Sequence, residues 1–216
     1  MYKKLISLIH LLRFIFSRNK KRIRGKNNKI ILNTLRIKNV IFDIKGDGNT
    51  IIFGKNATIK QTIITLRGNN HTLEIGQHVS ISRSEIKFED HNCLIKIGNS
   101  TRILPHGEIS AAEPFSCIDI GSECLFSSHI DIRNTDSHSI IDLATGQRIN
   151  QGKNIKIGNK VWLGSHVQIL KGVVIGESCI IGSRSLVTKS IPAHSVAAGV
   201  PARVLRNNVD WCEKRI

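Results

Sequence analysis

The sequence predicts an all-β protein, a solenoid of short parallel strands that coil around one core. An aliphatic residue recurs at every sixth position from residue 157 to residue 187. Upstream, four similar segments repeat every 22 or 23 residues, marked by Gly54, Gly76, Gly98 and Gly121. The 216 residues also include 36 isoleucines and few aromatic residues, and β-branched side chains favour strands. Neither period fits an α-helix or a simple strand, so the chain is interpreted as a repeat architecture.

The first element is an apolar and basic segment, assigned to residues 1–29. Residues 5–16 read LISLIHLLRFIF between basic flanks, a run too short to cross a bilayer. Residues 1–42 hold twelve of the 32 Lys and Arg residues and no acidic residue, whereas the remainder is nearly balanced. A nucleic-acid partner for the whole chain is therefore not predicted. We expect a short basic helix that either contacts an anionic membrane surface through residues 1–24 or packs on the protein or a neighbouring subunit.

The solenoid is predicted to occupy residues 30–206 in seven to eight coils. Its start comes from Ile31 and Ile37, which lie one period before Phe53 and Ile59. Each upstream unit consists of three hexads and a four-residue bulge. A larger excursion between the repeats contains a loop over residues 138–154, and residues 207–216 form a C-terminal tail.

The downstream hexads indicate which side chains face the core. Three hexads make one triangular coil, and coils stack as parallel strands about 4.8 Å apart. The first hexad positions point inward and hold Ile157, Leu163, Ile169, Ile175, Ile181 and Val187. The fifth positions fill the corners and hold Val161, Val167, Val173, Cys179, Ser185 and Ile191. Cys124 and Cys179 occupy fifth positions and are expected to be buried and inert.

These hexads resemble those of the hexapeptide-repeat acyltransferases, over about residues 30–206 and most specifically over 120–206. Within that family, the segment from Arg133 is similar to the acetyl-CoA-dependent O-acetyltransferases of bacterial surface sugars, including those acting on sialic acid capsules. The matching elements are N-T-D-x-H at 134–138, G-x-R-I-N-x-G-K at 146–153, V-W-L-G at 161–164 and A-G-x-P-A-R at 198–203. The resemblance implies a left-handed parallel β-helix, a homotrimer and active sites between subunits.

The resemblance also implies catalytic residues in two of these elements. His138 is the candidate base, since a neutral imidazole suits removal of a hydroxyl proton near neutral pH. Asn134 and Asp136 would orient the imidazole or the acceptor, although Asp136 could equally cap a turn. Trp162, at the sixth position of its hexad, should point outward at a turn. It would form a wall for the pantetheine arm or the sugar, across the subunit interface from His138, or merely pack in the trimer.

Acetyl-CoA has no compact signature in this sequence, and its candidate contacts come from the family. Lys189 and Arg203 would pair with coenzyme phosphates, while Thr188 and Ala198 would line the groove. A backbone N–H near Gly164 is the candidate oxyanion donor. Arg148 would hold the carboxylate of an acidic acceptor or fasten the loop to its own body.

The predicted function is O-acetylation of a bacterial cell-surface polysaccharide by direct, histidine-assisted transfer from acetyl-CoA. Capsular sialic acid or an O-antigen sugar would be the acceptor. One alternative is an acetyltransferase for a free small acceptor, such as a simple sugar, serine or a nucleotide-linked amino sugar. Another is a non-catalytic trimeric solenoid. No metal is expected, because the cysteines and histidines lack a metal-binding spacing. The expected location is the bacterial cytoplasm, at most peripheral at the inner face of the membrane.

Overall fold

A computed structural model describes residues 18–34 and 36–216 of the chain, and it contains three sheets. Sheet A consists of β1 (Lys20–Arg24), β4 (Ile41–Lys45), β7 (Ile63–Arg67), β10 (Glu85–Phe88), β13 (Glu108–Ala111), β16 (Asp131–Arg133), β19 (Gln168–Ile169) and β22 (Leu186–Val187). Sheet B consists of β2 (Lys29–Leu32), β5 (Thr50–Phe53), β8 (Thr72–Ile75), β11 (Leu94–Ile97), β14 (Cys117–Ile120), β17 (Ile155–Ile157) and β20 (Val174–Ile175). Sheet C consists of β3 (Arg36–Lys38), β6 (Thr58–Lys60), β9 (Ser80–Ser82), β12 (Arg102–Ile103), β15 (Leu125–Phe126), β18 (Trp162–Leu163), β21 (Ile180–Ile181), β23 (Ser195–Gly199) and β24 (Ala202–Asn207).

The chain visits the three sheets in a fixed order, A then B then C, and so winds into a triangular prism. Each strand pairs in parallel with its counterpart in the next coil, as Ile132 of β16 does with Ile169 of β19. Only β24 runs antiparallel among the described strands, folding back on β23 at the end of the solenoid. Sheet A contains eight strands, so the predicted parallel solenoid is confirmed with eight coils.

The core lies inside the prism and consists of the predicted inward positions. All six first-position residues from Ile157 to Val187 are buried, and so are the six fifth-position residues from Val161 to Ile191. The hexad register is therefore confirmed. Upstream, Phe42, Phe53, Phe88 and Phe126 add fully buried rings to the isoleucine columns.

The solenoid begins at Lys20, earlier than the boundary expected near residue 30. Strand β1 pairs along its whole length with Ile41–Lys45, and the Lys20 N–H donates to the Val40 carbonyl at 2.8 Å. Residues 20–24, which were assigned to the N-terminal segment, thus belong to the first coil. The helix expected over residues 5–16 lies outside the described residues. Within the described part of the chain, no helix has the length and apolar character needed to cross a membrane.

The repeating glycines mark places where consecutive coils approach too closely for a side chain. A Cβ atom on Gly54 would lie 2.4 Å from the carbonyl carbon of Gly76, and one on Gly98 would lie 2.5 Å from that of Gly121. Such distances leave no room for any side chain. The glycine period seen in the sequence is therefore a packing requirement of the stacked coils.

One edge of the prism, between sheets A and B, carries nearly all the variation in coil length. Ile169 and Ile175 are one hexad apart across this edge, whereas the equivalent Ile132 and Ile157 are separated by a long loop. This loop, residues 134–154, leaves the end of β16 and returns to the start of β17. It contains the predicted 138–154 segment and the N-T-D-x-H element.

Candidate active site

His138 lies on the long loop with its side chain exposed to solvent. Only its backbone is held: its N–H donates to the Asp136 carbonyl at 2.7 Å, and its carbonyl accepts from Asn150 Nδ2 at 2.7 Å. Further along, Ile149 N–H donates to the Ile140 carbonyl at 2.9 Å, which pairs the two arms of the loop. The imidazole is thus presented to solvent from a braced backbone.

Asp136 fixes the base of the loop and does not act as a mere turn cap. Its Oδ2 accepts from Lys171 Nζ at 2.5 Å and from Asn150 Nδ2 at 2.8 Å, and Lys171 also donates to the Asn150 carbonyl at 2.8 Å. The hydrogen bond from Lys171, with that from Asn150, holds the pKa of Asp136 below its ordinary value. Asp136 therefore positions the His138 backbone through Asn150, and the structure gives it no contact with the imidazole.

A second carboxylate, Glu113, holds both ends of the loop from the preceding coil. It accepts from Arg148 Nη2 at 2.5 Å, from Gly152 N–H at 2.8 Å and from Thr135 Oγ1 at 2.8 Å. Partial burial acts to raise the pKa of Glu113, but these three hydrogen bonds outweigh it and hold the pKa below the ordinary value. The guanidinium of Arg148 thus binds Glu113. Of the two roles left open for Arg148, this geometry favours fastening the loop to its own chain. In this structure it does not face outward towards a substrate carboxylate.

Asn134 has a structural role in the stack of coils. It is fully buried, its Oδ1 accepts from the Ala112 N–H at 2.8 Å, and its Nδ2 donates to the Ala112 carbonyl at 2.9 Å. The oxygen and the nitrogen of the Asn134 side-chain amide are therefore both hydrogen-bonded to the backbone of Ala112 in the preceding coil. The prediction that Asn134 orients the imidazole is not supported by this geometry.

Trp162 lies on the flat face of sheet C, within strand β18, and not at a turn as expected. Its side chain points outward and retains 38% exposure. The indole of Trp211, from the C-terminal tail, packs against it with the ring centroids 5.9 Å apart. In a triangular prism, the edge that carries His138 lies opposite sheet C. One chain alone therefore does not bring His138 and Trp162 together.

The candidate acetyl-CoA contacts also divide between two parts of the prism. Ala198 and Arg203 are cross-strand partners in sheet C. Thr188 and Lys189 are exposed just after β22, at the edge that carries the long loop. Because Ile169 pairs with Val187, Lys189 occupies the position of Lys171 in the next coil.

The Gly164 amide is not available as the oxyanion donor. Its N–H donates to the Ile181 carbonyl at 2.8 Å as part of the coil-to-coil ladder. A Cβ there would lie 2.6 Å from the Ser183 backbone nitrogen, so Gly164 is required for coil stacking.

Two of the cysteines were expected to be inert, and both have that environment. Cys124 and Cys179 are buried in the core, and burial raises the pKa of the Cys124 thiol to about 11. A thiol with such a pKa is a poor nucleophile at neutral pH. No group of three His, Cys, Asp or Glu side chains with metal-binding geometry occurs within residues 18–34 and 36–216.

Comparisons with known proteins place this geometry in a family. Residues 154–189 match the family model described as bacterial transferase hexapeptide (six repeats). The solved structure of the polysialic acid O-acetyltransferase OatWY aligns with a TM-score of 0.82 and 34% identity, covering 91% of this chain and 92% of that one. The chain belongs to the hexapeptide-repeat acetyltransferases. The left-handed parallel β-helix that the resemblance implied is confirmed with this membership.

Two curated relatives of this hexapeptide-repeat acetyltransferase match over shorter segments. A polysialic acid O-acetyltransferase of Neisseria meningitidis is 52% identical over 67 residues, 31% of each chain. The galactoside O-acetyltransferase of Escherichia coli (strain K12) is 62% identical over 52 residues, 24% of this chain and 26% of that one. The aligned segments thus span about a third or less of the length of these curated relatives.

Sequence patterns did not reveal several residues that build the site of this hexapeptide-repeat acetyltransferase. Glu113 lies 35 positions before its partner Arg148, so no local motif joins them. Among these missed residues, Lys171 alone had a signal in the sequence. It lies two positions after Ile169, which begins the hexad that follows V-W-L-G. Trp211 lies in the tail, where the repeat has ended.

Proposed function

We propose that this protein transfers the acetyl group of acetyl-CoA to a hydroxyl of a bacterial cell-surface polysaccharide, with capsular sialic acid as the favoured acceptor. The observation that carries the proposal is the long loop, which presents an unencumbered His138 from a doubly braced backbone. The alignment along nearly the whole of the polysialic acid O-acetyltransferase OatWY supports the acceptor class. The same enzyme class also accounts for the exposed Trp162 on the opposite face.

In the proposed reaction, His138 accepts the proton of the acceptor hydroxyl while the oxygen attacks the thioester carbonyl carbon. The C–S bond then breaks, the imidazolium returns its proton to the departing sulfur, and the products are an acetyl ester and free CoA. Direct transfer is supported by the three core thiols, Cys93, Cys124 and Cys179, which are buried and whose pKa values burial raises. Asp136, Asn150 and Lys171 act as positioning residues, because they hold the backbone on either side of the imidazole.

The active site would lie between two chains of a homotrimer. The long loop exposes apolar side chains at Ile140, Ile141, Leu143 and Ile149, and Leu143 is 99% exposed. Such a cluster is unusual on a monomer surface and suits burial against a second copy. A neighbouring copy would also supply a Trp162 face to the His138 edge, with Lys189 and Arg203 from different chains near the coenzyme phosphates.

The proposal is tested by an acceptor screen that measures CoA release and mass gain of the glycan. Purified protein is incubated with acetyl-CoA and with polysialic acid, an uncharged capsular polysaccharide, or free sugars. Acetylation of polysialic acid, with CoA release above the rate without acceptor, is the expected result. Release that no glycan stimulates would exclude the enzyme assignment and favour a structural solenoid.

A free sugar is the second candidate acceptor, because the galactoside O-acetyltransferase matches at 62% identity over 52 residues. The same screen separates the two. A kcat/KM for a monosaccharide that equals the value per residue of the polymer would favour the free-sugar enzyme.

We also propose that the enzyme works in the bacterial cytoplasm, at the inner face of the membrane where surface glycans are built. The described start of the chain supports an anionic contact: Arg22, Arg24, Lys45 and Arg67 cluster on the outer face of sheet A, with only Asp43 among them. Full-length protein should co-sediment with vesicles of anionic lipid at low salt, and protein lacking residues 1–24, which include Arg22 and Arg24, should bind far less. Full-length protein that stays in the supernatant would refute this location.

A further inference from the structure

The C-terminal tail lies across the outer face of sheet C and is held there by opposite charges and an indole. Asp210 pairs with Lys160 at 2.5 Å, and Glu213 pairs with Arg102. Between these two anchors, Trp211 Nε1 donates to the Lys160 carbonyl at 2.7 Å. Lys160 bonds the Asp210 carboxylate directly, and this contact, with the Trp211 N–H, holds the pKa of Asp210 below its ordinary value. Asp210 is therefore ionised at neutral pH, and with the Trp211 hydrogen bond it holds the tail against this face.

The floor beneath the tail is one vertical column of outward side chains. Arg102 pairs with Leu125, and Leu125 pairs with Trp162, so these three residues lie side by side in successive coils. Leu104 lies beside them. The tail and this column enclose an open cleft of about 360 Å³ with Trp162 on one side and Trp211 on another. That volume is at the lower end of the range of small-molecule sites, about 300–1,000 Å³.

The chemistry of the cleft has two parts. The indoles of Trp162 and Trp211 meet at 48°, which leaves an apolar wedge over Leu125 that suits the C–H face of a pyranose ring. At the rim, Arg102 already holds a carboxylate, that of Glu213. Both partners of this ion pair are well exposed, so the pair is weak and a ligand carboxylate can replace Glu213 at little cost.

We propose that this cleft is the subsite for a carboxylated sugar ring of the acceptor, with Trp211 stacking on the ring and Arg102 binding its carboxylate in exchange for Glu213. The inference rests on the proposed function for its substrate class, because Trp162 borders both the cleft and the proposed transfer site. It assigns acceptor recognition to the tail and to Arg102.

The test separates the acceptor from acetyl-CoA in steady-state kinetics. The acceptors are a sialic acid oligomer and the same oligomer with its carboxylates converted to methyl esters. Arg102→Gln should raise KM for the charged oligomer about tenfold and leave KM for the ester unchanged. Trp211→Ala should raise KM for both acceptors, Trp211→Phe should restore most of the loss, and KM for acetyl-CoA should stay within about twofold throughout. Arg83→Gln, a variant of an exposed arginine outside the cleft, is the matched control.

Three outcomes would overturn the inference. Equal effects of Arg102→Gln on both acceptors would exclude carboxylate recognition. Unchanged acceptor KM in Trp211→Ala would exclude the cleft, and a raised KM for acetyl-CoA alone would make it a coenzyme site. If no acceptor is acetylated at all, the proposed function fails, and the cleft is then decided without turnover. In that case, NMR titration of the oligomer must show binding to the wild type that Trp211→Ala weakens, or the subsite is rejected too.

Discussion

Replacing Glu113 with alanine should release the active-site loop without unfolding the solenoid. Glu113 accepts hydrogen bonds from Arg148, Gly152 and Thr135. When buried, each hydrogen bond to a charged group contributes about 1.5 kcal/mol or more to stability. The carboxylate and guanidinium retain 20% and 30% exposure, so water compensates part of the loss. Halving the summed contribution of the three hydrogen bonds leaves about 2 kcal/mol. Losing this free energy raises the ratio of open to closed loop by about 30-fold.

Two assays measure this shift. Cleavage by trypsin after Arg148 follows the open population when the loop opens and closes quickly, so the cleavage rate should rise by about 30-fold. Turnover should fall by up to a similar factor, because His138 is positioned by the same loop, while the melting temperature changes far less. Glu85→Ala is the control, since Glu85 pairs with Lys87 on the same sheet but contacts no loop residue. Unchanged cleavage in Glu113→Ala, or an equal change in the control, would refute the reasoning.

Four further outcomes are expected. His138→Ala should lower transfer by about 10²- to 10⁴-fold with an unchanged circular dichroism spectrum, and activity above about a tenth of wild type would exclude His138 as the base. Ile169→Asp should yield no soluble protein because it buries an unpaired carboxylate, whereas Gln168→Asp, one residue away on the outer face, should fold normally; a stable Ile169→Asp protein would disprove the register. Deleting residues 1–17 should leave the melting temperature unchanged, whereas deleting residues 1–24 should lower it by several degrees. The longer deletion removes β1, which pairs with the strand that contains Phe42 and Ile44. Equal melting temperatures of the two deletion variants would contradict the pairing of β1. Because the folded pKa values of Asp136 and Glu113 are lowered, their hold on the loop should be complete above about pH 5, above the ordinary pKa values of both groups. It should weaken as the pH falls further and be lost only through the lowered folded pKa values, seen as faster hydrogen exchange in residues 138–154; faster exchange already at pH 6 would contradict this.

The core was predictable because a period of six residues is a direct record of which side chains face inward. Leu163 and Val187 follow that record, and both are fully buried. Strand β1 was not predictable in this way, since KKRIR offers one aliphatic residue, Ile23, and pairs through backbone groups that any sequence provides. The first coil was therefore placed too late.

The candidate site was predictable only where its residues lie within one motif. His138 was proposed as the base from N-T-D-x-H, and the structure leaves its imidazole exposed. The same motif gave Asn134 a catalytic role, but the stacking of coils turns its amide inward onto Ala112. Contacts between coils, such as Glu113 with Arg148, depend on the register of the stack, which a single sequence does not reveal.

The edge between sheets A and B also makes this fold an adaptable scaffold. Because the three sheets fix the register on either side, extra residues at that edge leave the rungs within the sheets unchanged. The short connections at residues 68–71 and 89–93 are equivalent in position to the loop over 134–154, but they bond to each other, as the Asn92 N–H does to the Asn69 carbonyl, so an insertion must replace these bonds. A peptide grafted there would project in the same direction as the His138 loop, one or more coils away. Peptides grafted on successive coils along this edge would lie about 4.8 Å apart, the separation of neighbouring strands.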